Sequence, residues 1–261
     1  MKEMALSIWE ALAVFAAGIG AGTINTIVGS GTLFTFPVLL AIGLPPVTAN
    51  VSNTLGLVTG NISGAIGYRR ELRGQRGRLV RLGGTALVGG LAGAILLLAL
   101  PSEAFDAIVP VLIGLALVLV VLQPTLAKAL ARRRERRGTA AAPTDGGLAL
   151  LLGLLLASAY GGYFGAAQGV LYLALMGLLL DEDLQRVNGI KNVLALVVNG
   201  VAAVFFLFVA DFDWTAVLLI AAGSALGGQI GAKVGRGLPP VALRGVIVAV
   251  GAVAITQMLL K

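Results

Sequence analysis

Apolar runs separated by short polar stretches extend along almost the whole chain. Four runs in each half have roughly the ~17–25 residues that cross a bilayer as a helix, the form in which a backbone satisfies its own hydrogen bonds in lipid. One run in each half has only twelve residues, at 32–43 and 169–180, so we expect it to be short, tilted or re-entrant. The predicted helices are 5–24, 32–43, 47–67, 79–100, 104–123, 147–163, 169–180, 186–210, 214–235 and 240–260.

The order of these segments repeats after a shift of 138 residues, with no gap. The shift places Asn50 on Asn188 and Asn61 on Asn199. Two copies of a hydrophobic unit, each with asparagines inside apolar runs, are typical of secondary transporters. The pattern predicts an all-α, polytopic transmembrane helical bundle of two repeats, each with four spans plus a short or re-entrant second segment. The predicted parts are a first repeat at 5–123, an arginine-rich cytoplasmic linker at 124–146 and a second repeat at 147–260.

Composition supports a membrane protein and excludes several kinds of chemistry. Of the 261 residues, 58% are hydrophobic and 12% are charged, whereas a soluble domain has about 25% charged residues. We therefore expect a multi-pass protein of the plasma (inner) membrane, in contact with the lipid bilayer. The chain contains no cysteine and no histidine, which removes the usual thiol nucleophile, metal ligand and general base. We predict no catalytic residue, no metal and no cofactor, and an intramembrane enzyme is a remote alternative.

The distribution of Lys and Arg predicts that the two repeats have opposite orientations. If segments one and two of each repeat form a hairpin, the stretches expected in the cytoplasm contain all 19 basic residues except Lys2 and Lys261. If each pair were instead one broken helix, the repeats would be parallel and the basic residues after 180 would lie outside. Because positive charge marks cytoplasmic loops, inverted repeats with external termini are favoured. The cytoplasmic stretches are then 69–81, 124–146, 181–191 and 233–244.

The linker arginines and the first apolar segment each have an alternative interpretation. The linker arginines are interpreted as a topology anchor rather than as a lipid-headgroup or nucleic-acid site, and no nucleic acid is expected. The first segment has some features of a signal peptide, but its counterpart at 147–163 lies in the middle of the chain, so we predict a retained helix.

Polar, glycine-rich breaks separate the first two segments of each repeat. Such backbone at membrane depth is tolerated where protein buries it or where it lines a cavity, and a helix N-terminus there favours an anion. The alternative is a tight turn with close helix packing. The candidate substrate-binding residues in the breaks are Asn25, Ser30, Gly31 and Thr32 in the first repeat, and Tyr163, Gln168 and Gly169 in the second.

Each third segment has a stripe of small polar residues on one helical face. Spacings of four and seven residues place such side chains on the same side of a helix. They could bind a substrate or form interhelical hydrogen bonds worth about 0.6 kcal/mol each. The candidates are Asn50, Asn53, Thr54 and Asn61, and in the second repeat Asn188, Asn192 and Asn199.

Charge within the predicted spans favours an anionic substrate. Lys191 lies inside a span beside the polar stripe, where a charge is a functional hypothesis by default; the alternative is that it snorkels to the cytoplasmic surface. All acidic residues lie in or near a terminus or a loop. A proton relay of carboxylates and histidines is therefore not expected, and a cation channel, which needs acidic rings, is disfavoured.

Small-residue faces occur at matching positions of the two repeats, as Gly89-Gly90-x-x-Gly93 and Gly227-Gly228-x-x-Gly231. Such faces allow helix backbones to approach closely. We interpret them as packing surfaces, either within the fold or at the seam of a homodimer.

Taken in order, these motifs resemble the TauE/SafE family, also called the sulfite exporter or 4-toluene sulfonate uptake permease (TSUP) family. The resemblance implies a secondary transporter for small anions, often sulfur-containing ones such as sulfite, sulfonates and sulfoacetate; a passive anion channel is the alternative. The second repeat departs from the family pattern at Ala166-Ala167-Gln168-Gly169, where a glycine-rich run is more usual. The motifs are Gly18-x-x-x-Gly22, Gly29-Ser30-Gly31-Thr32-Leu33-x-x-x-Pro37, Ala49-Asn50-x-Ser52-Asn53-Thr54, Gly60-Asn61 and Gly161-Gly162-Tyr163-Phe164-Gly165.

Overall fold

The structure is a computed structural model that describes residues 6–137 and 146–234, together with the single positions 245, 248, 249, 252 and 256. Within that part of the chain all regular structure is helical, which confirms the predicted fold class. The predicted tenth segment and the second half of the linker lie outside the described ranges, apart from those single positions. The helices are α1 (Ile8–Ile27), α2 (Thr32–Ala41), α3 (Pro46–Gly67), α4 (Arg76–Ala99), α5 (Ser102–Arg137), α6 (Gly147–Tyr163), α7 (Gln168–Leu179), α8 (Leu184–Val209) and α9 (Trp214–Val234).

The helices differ in whether they are long and apolar enough to span a membrane. Among the described residues, α1, α4, α8, α9 and the first 24 residues of α5 are long and apolar enough to cross one. α2 and α7 have 10 and 12 residues, so the second segment of each repeat is short, as predicted. α3 has 22 residues but carries the polar stripe, and most of it is buried against α1, α8 and α9. Protein therefore buries most of this polar stripe.

α2 folds back along α1, and α7 folds back along α6. Phe34 lies beside Gly20 while Gly31 lies beside Ala21, so the residue number falls along α1 as it rises along α2. Each pair is therefore a hairpin, not one broken helix. The corresponding contacts of the second hairpin are Gly153–Leu175, Ser158–Tyr172 and Gly161–Gln168.

The glycine faces join the two repeats. A methyl group at Gly93 of α4 would overlap the carbonyl oxygen of Ala159 in α6, and one at Gly227 of α9 would overlap that of Ile19 in α1. The fourth helix of each repeat thus packs closely on the first helix of the other. This confirms the interpretation of the faces as packing surfaces within the fold; a homodimer stays a prediction.

The equivalent helices α3 and α8 run in opposite directions. Asn192 lies near Gly64, whereas the earlier residue Asn188 donates to the later residue Tyr68. The residue number therefore rises along α3 as it falls along α8. This direction places Asn188 and Asn192 of α8 against residues of the first repeat.

Two predicted boundaries were wrong. The fifth helix was expected to end at 123, but α5 continues to Arg137, because the stretch after Pro124 is rich in Ala, Leu, Lys, Arg and Glu, which are strong helix formers; the assignment of 124–146 as a linker stays a prediction. The first break was expected to begin at Asn25, but α1 includes Asn25 and ends at Ile27. The break itself is only four residues long in each repeat, at 28–31 and 164–167.

Candidate functional site

The tips of the two hairpins meet inside the protein. The backbone N–H of Gly169 donates to the carbonyl oxygen of Gly29 over 3.1 Å, and a methyl group on either glycine would overlap the Cα atom of the other. Both glycines are buried. The breaks predicted from sequence therefore form one contact between the repeats, and only glycine fits there.

The two tips have the same backbone conformation at equivalent positions. Gly29 has φ +86° and Ala167, which lies 138 residues later, has φ +58°. The left-handed region costs an alanine roughly 1–2 kcal/mol, so packing around the tip must hold Ala167 there. Ala167 is completely buried. Among the described residues it is the only non-glycine residue with positive φ.

Asn25, in the last turn of α1, connects residues of three elements. Its Nδ2 donates to Oδ1 of Asn61 in α3 over 2.5 Å, and its Oδ1 accepts from the backbone N–H of Gly31 at 3.5 Å. Its own backbone oxygen accepts from Lys191 of α8. We call Asn25, Ser30, Gly31, Asn61 and Lys191 the Asn25 cluster.

Lys191 is completely buried, so it does not snorkel to the surface. Its Nζ donates to the carbonyl oxygens of Asn25 and Thr26, each at 3.0 Å. These carbonyls lie at the C-terminal end of α1, where a cation is favourable. An ammonium group has three N–H donors. Two of them are used in these hydrogen bonds with described residues. The second repeat thus supplies a cation to the hairpin tip of the first.

Most of the other asparagines predicted to bind substrate donate their amide N–H groups to other groups of the protein. Asn53 ties α3 to α2 by accepting from Thr35 and donating to Thr32. Asn50 donates to the carbonyl oxygen of Tyr163 at 2.9 Å, and the hydroxyl of Thr54 donates to Asn50's own carbonyl. In the second repeat, Asn188 donates to the Tyr68 hydroxyl at 2.7 Å, and Asn192 donates to the carbonyls of Thr26 and Asn188. Apart from the bonds of Thr54 and Asn192 to the carbonyls of Asn50 and Asn188, which lie within one helix, these contacts are the interhelical bonding that the sequence left open as an alternative.

A few buried polar atoms have no hydrogen-bond partner among the described residues. Two of them, Ser30 Oγ and Asn61 Nδ2, belong to the Asn25 cluster, and both side chains are almost completely buried. An unsatisfied buried donor costs about 1–3 kcal/mol, so both groups favour a ligand that accepts hydrogen bonds. The others among the predicted residues are Asn50 Oδ1, Tyr163 Oη and Asn188 Oδ1.

The tip of the second hairpin is more aromatic than that of the first. Tyr163 occupies the position equivalent to Asn25, and its ring packs edge-on against Phe105, 5.7 Å between centroids. Gln168 donates to the hydroxyl of Tyr172 within its own hairpin. Asn199, the counterpart of Asn61, is only half-buried. The structure therefore brings Asn25 and Gly31 of the first hairpin together with Lys191. Of the predicted residues in the second hairpin, Gly169 also lies against this cluster, since a methyl group there would be 3.1 Å from Cδ of Lys191, whereas the Tyr163 ring and the Gln168 amide make the contacts just described.

Sequence reasoning missed two contributors to the site. Tyr68 holds Asn188, and its spacing of seven residues from Asn61 places both on one face of the α3 end, so the pattern contained that signal. Thr26 contributes its backbone carbonyl, which no side-chain pattern reveals.

A multi-pass helical protein whose polar residues and broken hairpins meet between two repeats has the architecture of a membrane transporter. The chain belongs to the TauE/SafE family, since the family model described as "Sulfite exporter TauE/SafE" matches residues 14–258. It is therefore a membrane transporter of that family, as the sequence motifs indicated.

Curated relatives are similar over most of their length. The "Probable membrane transporter protein YfcA" of Escherichia coli strain K12 is 26% identical, over 94% of this chain and 88% of that protein. A "Probable membrane transporter protein" of Haemophilus influenzae is 26% identical, over 84% and 83%, and the "Probable membrane transporter protein ORF9" of Sinorhizobium sp. is 25% identical, over 89% and 85%. No solved structure matches the chain.

Proposed function

We propose that the protein is a secondary transporter for small anions, and that sulfur oxyanions such as sulfite and organic sulfonates are its substrate class. The observation that carries the proposal is Lys191, a lysine side chain buried at the tip of the first hairpin with two carbonyl oxygens as its hydrogen-bond partners. Burying a charge is costly unless an opposite charge compensates it. An anionic substrate would supply that compensation.

The groups around Lys191 suit an oxyanion. Ser30 Oγ and Asn61 Nδ2 are donors without a described partner, and a sulfite or sulfonate group offers three acceptor oxygens. Hydrogen bonds to a charged group contribute about 1.5–3 kcal/mol, stronger than those between neutral groups. The family description, which names a sulfite exporter, supports the same chemical class.

The inverted orientation of the repeats supports alternating access. α3 and α8 are equivalent and run in opposite directions, and the two hairpins touch at their tips. A site between inverted repeats can be exposed to one side of the membrane and then to the other when one repeat rocks against the other.

The proposal is tested by uptake of labelled sulfite and sulfoacetate into proteoliposomes that contain the protein or a lysine variant. Lys191→Met should lower substrate affinity by roughly ten- to a hundred-fold, the equivalent of about 1.5–3 kcal/mol, and Lys191→Arg should retain measurable uptake. The control is Lys233→Met, since Lys233 is exposed in the last turn of α9. Uptake by Lys191→Met equal to that of the control would contradict the proposal.

A further inference from the structure

The connections between helices on the predicted cytoplasmic side are joined by a network around one carboxylate. Glu182, between α7 and α8, accepts from Arg78 of α4 at 2.6 Å and from Gln75 at 3.1 Å, both through Oε2. Its other oxygen forms an ion pair with Nε of Arg186 of α8, 3.0 Å away. Glu182 and Arg186 belong to the second repeat, whereas Arg78 and Gln75 belong to the first. The network therefore crosses from one repeat to the other.

The charged groups of this network are largely shielded from solvent, and their positions are fixed relative to one another. The side chains of Arg78 and Glu182 are only 14% and 17% exposed. Arg186 also donates to the carbonyl oxygen of Arg73, in the α3–α4 connection, at 3.3 Å. Several linked charges of this kind hold a geometry better than an isolated surface pair.

The equivalent positions on the opposite side of the membrane carry no such network. The shift of 138 residues maps Glu182 onto Leu44, Arg78 onto Ala216 and Arg186 onto Thr48. Leu44 and Ala216 are buried in one apolar cluster. The fourth position, Gln75, maps onto Asp213, whose backbone N–H donates to the Ser52 hydroxyl of the first repeat at 2.9 Å. The two pseudo-symmetric positions therefore differ in chemistry: ion pairs link the repeats at one, whereas apolar packing and this hydrogen bond link them at the other.

We propose that Glu182, Arg78, Arg186 and Gln75 form a cytoplasmic lock, which holds the two repeats closed on that side and must open for the site to reach the cytoplasm. The proposal rests on the alternating-access function proposed above. The lock covers the beginning of α8: a methyl group at Gly189 would lie 3.3 Å from Leu72 and 3.5 Å from Glu71 of the α3–α4 connection. Gly189 lies two residues before Lys191, so opening the lock uncovers the path to the Asn25 cluster.

Cytoplasmic acidity would not open the lock. Burial of the Glu182 carboxyl raises its pKa, but hydrogen bonds from Arg78, the Asp183 backbone and Gln75, together with the Arg186 charge, lower the pKa below the usual 4.5. A depressed pKa means that the ion pairs are intact above pH 4.5 and weaken only as the pH falls through the lower, folded-state value. Opening must therefore come from movement of the repeats.

The test measures cytoplasmic access at a single cysteine, Gly189→Cys, which needs no background change because the chain contains no cysteine. A membrane-impermeant thiol reagent is added to inside-out vesicles. Labelling should be slow in the otherwise unchanged protein and several-fold faster after Glu182→Gln. Arg78→Gln, which removes the same pair from the other repeat, should accelerate labelling equally, and the double variant should add little more. The matched control is Arg70→Gln, since Arg70 is exposed in the α3–α4 connection.

Equal labelling rates in the Glu182→Gln, Arg78→Gln and Arg70→Gln proteins would overturn the lock. Size-exclusion elution establishes which variants are folded, and either lock variant alone suffices for the comparison. Labelling needs no substrate. A protein that labels as expected but moves no anion would therefore overturn the proposed function and leave the lock standing.

Discussion

At the scale of single residues, the asparagines of α3 have different hydrogen-bond environments although they look alike in sequence. Both polar ends of the Asn53 amide are engaged by threonines of α2. The amide of Asn61 accepts from Asn25, but its own Nδ2 has no partner among the described residues. We therefore expect Asn53 to stabilise the fold and Asn61 to bind substrate.

Alanine substitution of these two asparagines separates the roles. Asn61→Ala should weaken anion binding by about 1–3 kcal/mol, because its free donor is lost. It should lower the unfolding temperature less than Asn53→Ala does, because it removes one hydrogen bond, from the partly buried Asn25 amide, whereas Asn53→Ala removes two hydrogen bonds to buried threonine hydroxyls. The measurements are ligand-induced thermal shifts and thermal unfolding in detergent. Normal anion binding by Asn61→Ala would remove this residue from the site.

At the scale of helices and hairpins, two helix backbones approach closely where a glycine leaves no side chain between them. Gly93 of α4 lies against the backbone of α6, whereas Gly84 of the same helix has no atom within 4 Å of the position a Cβ would take. Adding a methyl group at a tightly packed position costs about 1–3 kcal/mol, while alanine in an open helical position is favourable.

The comparison of these two glycines predicts opposite effects of the same change. Gly93→Ala should lower the free energy of unfolding by about 1–3 kcal/mol, and Gly84→Ala should leave it unchanged or raise it slightly. Both are measured by unfolding with a denaturing detergent in mixed micelles. If the two variants had the same stability, the α4–α6 contact would be looser than described.

Much of this element-level architecture was predictable, and the exceptions have physical causes. The twelve-residue runs predicted the short α2 and α7, and the repeated glycines predicted close helix packing, because both are local patterns; which helices pack together was not predicted. The continuation of α5 to Arg137 was not predicted either, because its arginine run is typical of a cytoplasmic loop although its residues are strong helix formers. The left-handed Ala167 was also missed, because only tertiary packing holds an alanine in that conformation.

The composition of the site was only partly predictable for a similar reason. The polar stripes identified which residues are buried, but not which atoms remain without a partner. That depends on distant residues such as Tyr68, which takes the Asn188 amide, and on backbone carbonyls such as those of Asn25 and Thr26, which take Lys191. Contacts of this kind form between repeats and leave no local signal.

At the scale of the whole molecule, the inverted arrangement predicts a definite topology. The loop before α5 should be external and the α3–α4 connection cytoplasmic, because basic residues concentrate in the latter. Ser102 and Arg70 are exposed in these two places.

Single cysteines at these positions should therefore label from opposite sides of the membrane. In intact cells an impermeant reagent should reach Ser102→Cys but not Arg70→Cys, and in inside-out vesicles the preference should reverse. Labelling of both from the same side would contradict a membrane-spanning α4 and the predicted orientation of the first repeat.

The central claim is that a site between two inverted repeats carries anions by alternating access, and anion counterflow tests it most directly. Proteoliposomes are preloaded with unlabelled sulfite and given a trace of labelled sulfite outside, with the membrane potential clamped at zero. A transporter exchanges the two, so the label should accumulate transiently above its equilibrium level, and Lys191→Met should reduce that overshoot. A label that only equilibrates, at a rate unaffected by the internal anion, would indicate a passive channel and contradict the account.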